Sequence, residues 1–365
     1  MEHSNFKKLT WTEYIIFIHT VQFAGGFLTL PRTLAIAAGT DGWISIVIGW
    51  GITSIVGITI IAFLQKKNDM NFPQILKYYF GNFVGNMLTL LFAVYLFIGG
   101  ASLLLKSVEI IKIWVFPSTP SNQIIVLLLI PFYILSCHGI QAISRYSMVV
   151  FFLTMFMPLF LVFALRQDYH PLHLFPILKE GISPIIIAVK DCFTPYAGLE
   201  MAYFIYPYLQ KKEKAMLGIL IANTGTMILY VFITVLCCVY FSLENMKETL
   251  WPTLQLLKGI RFPFLERLEI IYIAYYLMIF SKTIYPYLFS SIHLLTNTFP
   301  KLNIQKTIVF YCSVLFVLFT IFHPRVNDLF EINSIIDIIV FIFFILFPIL
   351  ICTYAFIFDW IYRRN

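Results

Sequence analysis

The chain has 365 residues, 60% of them hydrophobic and 12% charged, with a formal net charge of +7 and a mean hydropathy of +0.86. An ordinary soluble domain carries roughly 25% charged residues, so water is not the main solvent of this protein. The basic residues are scattered through loops between apolar runs and form no dense patch, which points away from nucleic acid and toward a lipid bilayer.

Apolar runs of span length recur near 12–37, 42–64, 84–110, 123–139, 146–165, 183–207, 215–241, 267–293, 305–323 and 333–360. Backbone polar groups must be satisfied internally in lipid, so each run is expected to be helical. The predicted fold class is therefore an all-α polytopic membrane protein of about ten transmembrane helices. A β-barrel would need short alternating segments, whereas 335–351 is apolar on every face. The length would suit two or three soluble domains, but the runs leave no room for one, and a single transmembrane domain over 1–365 is expected. Lys7 and Lys8 precede the first run, which is too long for a signal-peptide core and lacks a small-residue cleavage site. It is expected to stay as the first span.

In chain order, the first run contains Ala24, Gly25, Gly26 and Phe27, followed by Pro31. Glycine tolerates non-helical dihedrals and proline removes a donor, so this helix is expected to unwind near Gly25. The stretch 71–79 reads as a short helix along the interface. Lys106 and Glu109 on the third span are three residues apart and can pair on one helix face. The sixth span carries Lys190, Asp191, Cys192, Phe193, Thr194, Pro195, Tyr196, Ala197, Gly198, Leu199 and Glu200, a second expected break. Glu200 falls in the first turn after that break, where a negative charge suits the helix N-terminus, as a cap or in contact with a ligand or gate. The loop 242–264 is long enough for a short surface helix. Lys282 on the eighth span has no acidic residue within a helical turn, so its partner must come from another helix. Asp337, near the start of the tenth span, reads as an interfacial residue with no special role.

Placing the N-terminus in the cytoplasm puts Lys7, Lys8, Lys66, Lys67, Lys77, Arg145, Lys211, Lys212, Lys214, Lys301, Lys306, Arg363 and Arg364 on that side. Lys112, Arg166, Lys179, Lys247, Lys258, Arg261, Arg267 and Arg325 then face the other side. The excess predicts both termini inside and an even number of spans. The six cysteines, Cys137, Cys192, Cys237, Cys238, Cys312 and Cys352, lack paired spacing and read as core packing. Asp168, His170 and His173 lack a further ligand and read as a solvated loop, while His19, His138, His293 and His323 near span ends read as structural. No nucleotide, cofactor or zinc-protease motif appears, so neither an enzyme nor a cofactor is expected.

Two breaks separated by five spans point to a five-plus-five inverted repeat with broken helices 1 and 6, roughly 10–166 and 180–362, and a ligand site at the midplane. Unwinding exposes N–H groups at the start of each half-helix, where the dipole favours a carboxylate. Freed carbonyls on the other side of each break can accept from an ammonium group. Close helix packing is the alternative use of such glycines. The resulting ligand-site candidates are Ala24, Gly25, Gly26, Phe27, Phe193, Thr194, Tyr196, Ala197 and Gly198, with Lys106, Glu109, Glu200 and Lys282 as a gating or charge network.

Phe193 to Glu200, with Pro207 and the Lys211, Lys212, Glu213, Lys214, Ala215 run behind it, resembles the sixth helix of amino acid–polyamine–organocation permeases. Gly25 to Arg32, followed by Ala38, Gly39, Thr40, Asp41, Gly42 and Trp43, is more similar still to the spore-germination permease branch. That resemblance runs from Leu9 to Tyr362. It implies the B subunit of a nutrient germinant receptor in the inner membrane of a bacterial endospore, acting with A-type and C-type subunits on a small germinant such as an amino acid. By analogy with that general fold, Lys282 would occupy a cation site beside the first span. The alternative is an ion-coupled secondary amino-acid permease. The fifth span, 146–165, has no lysine, unlike some proton-coupled permeases of this fold, which weakens that alternative.

Overall fold

The computed structural model describes residues 8–166, 168–258, 260, 268–321 and 326–362. Of the residues weighed above, Lys7, Arg261, Arg267, His323, Arg325, Arg363 and Arg364 lie outside this set. The described residues are overwhelmingly helical and contain no strand beyond an isolated bridge between Leu9 and Leu209.

The first span is two helices, α1 (Trp11–Gln22) and α2 (Gly26–Ala38), with the helical path lost at Phe23 to Gly25. α1 starts on a capping box, in which Glu13 N donates to Thr10 Oγ1 (3.2 Å) and Thr10 N donates to Glu13 Oε2 (2.6 Å). α3 (Gly42–Gln65) runs back, followed by α4 (Phe72–Trp114), α5 (Ser121–Cys137) and α6 (Ile140–Thr154). The second half holds α7 (Ala215–Tyr240), α8 (Leu243–Glu248), α9 (Pro252–Lys258), α10 (Leu268–Thr298), α11 (Ile304–Ile321), α12 (Val326–Val340) and α13 (Phe347–Tyr362). Six stretches among the described residues are long and apolar enough to cross a membrane, namely Gly26–Gln65, Phe72–Trp114, Ile140–Arg166, Lys212–Tyr240, Ile304–Ile321 and Glu331–Ile361. The chain is a polytopic all-α membrane protein.

Several elements depart from the sequence expectation. The sixth span is no single helix over 183–207 but a string of short α and 3-10 turns. Prolines at 184, 195 and 207 each remove a donor there. The stretch 72–80 is helical, as expected, and leaves the axis of α4 at Gly81, whose φ of 76° and ψ of 171° only glycine adopts readily. Its apolar face packs inward, with Phe72, Ile75, Leu76 and Tyr79 buried and Phe72 stacked on Tyr203 at 4.1 Å, while Gln74 and Tyr78 on the other face are exposed. Within 242–264 the described residues form α8, which lies at the surface with only Met246 buried, and α9, which is inserted: Leu254, Leu256 and Leu257 are buried, and Thr253 Oγ1 donates to Phe27 O at 2.7 Å. Between α12 and α13, residues Phe341–Leu346 widen into a π-helical turn. All six cysteines are free; Cys137 is exposed and Cys312 half-buried, so those two depart from the expected core packing.

The largest helix contacts join α4 to α10 and α3 to α7, with α5 against α11 and the α1–α2 pair against the broken sixth span. The end carrying the N-terminus is drawn together by Leu9 N donating to Tyr208 O (2.8 Å), Gln210 N donating to Leu9 O (3.0 Å) and Trp11 Nε1 donating to Lys214 O (3.0 Å). We call this the near end.

Candidate functional site

The two breaks lie against each other. A Cβ on Gly26 would sit 2.8 Å from Pro195 Cβ and 3.0 Å from Pro195 Cα, and one on Gly198 would sit 3.0 Å from Gln22 N. Gly198 also has a φ of 131°, a conformation that glycine alone holds without strain. These glycines therefore serve close backbone approach between the breaks.

Polar side chains stitch this crossing. Gln22 Nε2 donates to Tyr196 O (2.8 Å) and to Asn223 Oδ1 (3.0 Å), and Thr226 Oγ1 donates to Gln22 Oε1 (3.0 Å). The Tyr230 hydroxyl reaches Gln22 O at 2.9 Å and Pro195 O at 3.0 Å, one carbonyl from each break. His19 is buried within α1 and not at a wet span end, with Nδ1 2.9 Å from Thr226 Oγ1. From α10, Thr283 Oγ1 donates to Val21 O at 3.0 Å. Below the crossing, Glu200 is buried and accepts from Tyr95 Oη (2.7 Å), Tyr287 Oη (2.6 Å) and Gly198 N (2.7 Å). Those three donors join α4, α10 and the second break in one clasp.

Above the crossing lies a cavity of 460 Å³, whose wall includes Gln22, Ala24, Gly25, Gly26, Lys106, Glu109, Asp191, Thr194, Ala197, Trp251, Tyr287 and Asp337. It occupies the half of the molecule away from the near end, since its wall also takes in Leu30, Arg32, Thr33, Ile36 and Ala37 of α2, Ile110 of α4 and Leu250 between α8 and α9. A second cavity of 160 Å³ lies toward the near end, lined by His138, Gln141, Tyr208, Ser290 and His293.

Of the residues singled out from sequence, Ala24, Gly25, Gly26, Thr194, Ala197, Lys106 and Glu109 border the larger cavity. Phe27, Phe193, Tyr196, Gly198, Glu200 and Lys282 are not in its wall. Phe27 and Tyr196 are packed, with Phe27 5.2 Å from Tyr276 and Tyr196 Oη donating to Ile46 O (3.1 Å), while Phe193 stacks on Phe341 at 5.9 Å. Lys106 and Glu109 do not pair. The one ion pair between described residues is Lys66–Asp359, 2.6 Å apart at the near end. Both Lys106 and Glu109 border the cavity, so the mutual pairing that a lipid surrounding would enforce is not required. Lys282 is buried with its Nζ over the ring of Phe23, 5.5 Å from the centroid, at the first break. That contact is with a π face.

Sequence reasoning missed Gln22, Asn223, Thr226, Tyr230, Tyr95 and Tyr287, and it undervalued Asp337. Asp337 accepts from Thr194 Oγ1 at 2.6 Å and stands in the cavity wall. Its signal was available, since an acid inside a span is a functional candidate by default.

The backbone leaves donors free at the first break. α2 has 13 residues and no side-chain cap at Gly25. The N–H groups of Gly25, Gly26 and Phe27 make no hydrogen bond with another described group, so they are free at a helix N-terminus.

Comparison with known proteins places this arrangement in a family. A family model described as "Spore germination protein" matches residues 8–329. The chain is 28% identical over 269 residues to Spore germination protein GerQB of Bacillus cereus, covering 72% of each chain. It is 29% identical over 308 residues to Spore germination protein A2 of Bacillus subtilis (strain 168), covering 80% of this chain and 81% of the relative. Spore germination protein YndE of the same organism is 27% identical over 278 residues, covering 74% of this chain and 76% of the relative.

Proposed function

Because the chain belongs to the spore germination protein family, we propose that it is the membrane-embedded sensing subunit of a nutrient germinant receptor. It binds a small germinant, an amino acid or a similar molecule, in the 460 Å³ cavity above the crossed breaks. The observation that carries this reading is the uncapped N-terminus of α2 opening onto that cavity, a donor set suited to a carboxylate. Binding shifts the balance between two arrangements of the helices, and the change passes to A-type and C-type subunits in the spore inner membrane. No catalysis is involved in this reading.

Gly25→Leu tests it. A Cβ at Gly25 meets ring and methyl atoms of Phe280 (3.2 Å) and Leu103 (3.5 Å), which are side chains able to yield, and the added bulk projects toward the cavity. Near-normal abundance with loss of the nutrient response is expected. Full response at normal abundance would rule the cavity out as the ligand site. Low abundance would make Gly25 a packing residue and remove this support.

A further inference from the structure

We infer that Asp337 is the residue that binds the ammonium group of the ligand, and this rests on the proposed cavity site. At the break, the carbonyls expected to take an ammonium are largely in use. Gln22 O and Pro195 O face the Tyr230 hydroxyl, Tyr196 O accepts from Gln22 Nε2, Thr194 O accepts from Ala197 N and Gly25 O accepts from Leu28 N. Ala24 O remains without such a donor among the described groups.

Asp337 offers what these carbonyls do not. Its Oδ1 is held by Thr194 Oγ1 at 2.6 Å, which fixes the carboxylate at the cavity wall and leaves Oδ2 to accept from a ligand. Thr194 precedes Pro195, whose Cα lies 3.0 Å from the position of a Cβ on Gly26. The free N–H groups of α2 and the Asp337 carboxylate therefore both border the part of the cavity where the first break meets Thr194 and Pro195. N–H donors for a carboxylate and an acid acceptor for an ammonium, bordering one cavity, match the two charged ends of an α-amino acid.

Arg32, Lys106, Glu109 and Asp191 also bring charge to the wall. Arg32 sits at the rim, where its Nε donates to Lys247 O at 2.8 Å. Asp191 lies a turn before the break, next to Lys190 in sequence. Lys106 on α4 stands near enough to act electrostatically on Asp337 but is not within ion-pair distance of it, so Oδ2 is not taken by that ammonium. A bare amine without a carboxylate, or a carboxylate without an amine, meets half of the site.

The test uses the full chain purified in detergent, with ligand-dependent shift of the melting temperature as readout. The probes are the twenty L-amino acids and, for the tightest binder, its deaminated carboxylic acid (propionate for L-alanine). Wild type should prefer the amino acid to the deaminated acid by about tenfold or more, as a charge-assisted hydrogen bond requires. Asp337→Asn should abolish that preference while leaving affinity for the deaminated acid unchanged. Thr194→Val, which removes the group holding Asp337, should reduce it. An unchanged preference in Asp337→Asn overturns the inference and leaves the cavity reading intact, as does an equal loss for both probes. If wild type is shifted by no amino acid, the inference and the amino-acid form of the cavity reading fall together. Should Asp337→Asn not fold, Asp337→Glu and Thr194→Val read the same preference, and no change in either overturns the inference.

Discussion

A carboxylate at 0% exposure inside a membrane domain needs donors, and Glu200 has one from each of three elements. Hydrogen bonds to a charged group contribute about 1.5–3 kcal/mol each, so this clasp is a large local fraction of stability. Glu200→Gln keeps the shape, but with its oxygen on Gly198 N–H its NH2 faces the tyrosines, which must turn from donors into acceptors, and all three bonds lose their charge assistance. The expected result is a melting temperature lowered by the equivalent of about 1–3 kcal/mol, with Tyr95→Phe and Tyr287→Phe each giving a smaller drop. An unchanged melting temperature in Glu200→Gln would show that the clasp holds nothing. Glu200 was visible in the sequence as an acid after a break, but its tyrosines lie 105 and 87 residues away and carry no local pattern. Tyr230 was hidden for the same reason: in an apolar helix one aromatic residue looks like its neighbours until the fold gives its hydroxyl a partner.

At the scale of elements, the two glycines of the first break have different duties. Gly26 meets the backbone of Pro195, which cannot yield, while Gly25 meets a ring edge and a methyl group. Gly26→Ala should cost about 1–3 kcal/mol through overpacking, seen as lower abundance and melting temperature, whereas Gly25→Ala should leave both near wild type. Equal effects would contradict the crossing geometry. The breaks themselves were legible because glycine and proline act locally on the chain. The 3-10 turns of the sixth span and the π-helical turn at Phe341–Leu346 were not, since an apolar run reads alike whichever helical hydrogen bond it uses. Burial of α9 also escaped notice, because seven residues in a loop give too short a period to distinguish an exposed helix from an inserted one.

For the molecule as a whole, α3 packs on α7, α4 on α10, α5 on α11 and the first break on the second. Pairing of the first four spans with their counterparts five spans on is what we would expect of two halves related by an in-plane two-fold axis, the inverted repeat proposed from the sequence. On the charge bias we propose that Lys212 and both termini face the cytoplasm. A cysteine at position 212 on a cysteine-free background should therefore react with an impermeant maleimide only after the membrane is opened, and labelling of intact cells would reverse the topology. With that orientation, the Leu9–Leu209 bridge and the Glu200 clasp close the cytoplasmic side while the cavity lies toward the exterior. A binding site reachable from one compartment reports the activity of solute in that compartment alone. If the proposed sensing role holds, amino acids set free inside the cell by its own protein turnover would be silent to it, so that internal metabolism could not counterfeit a supply of food outside.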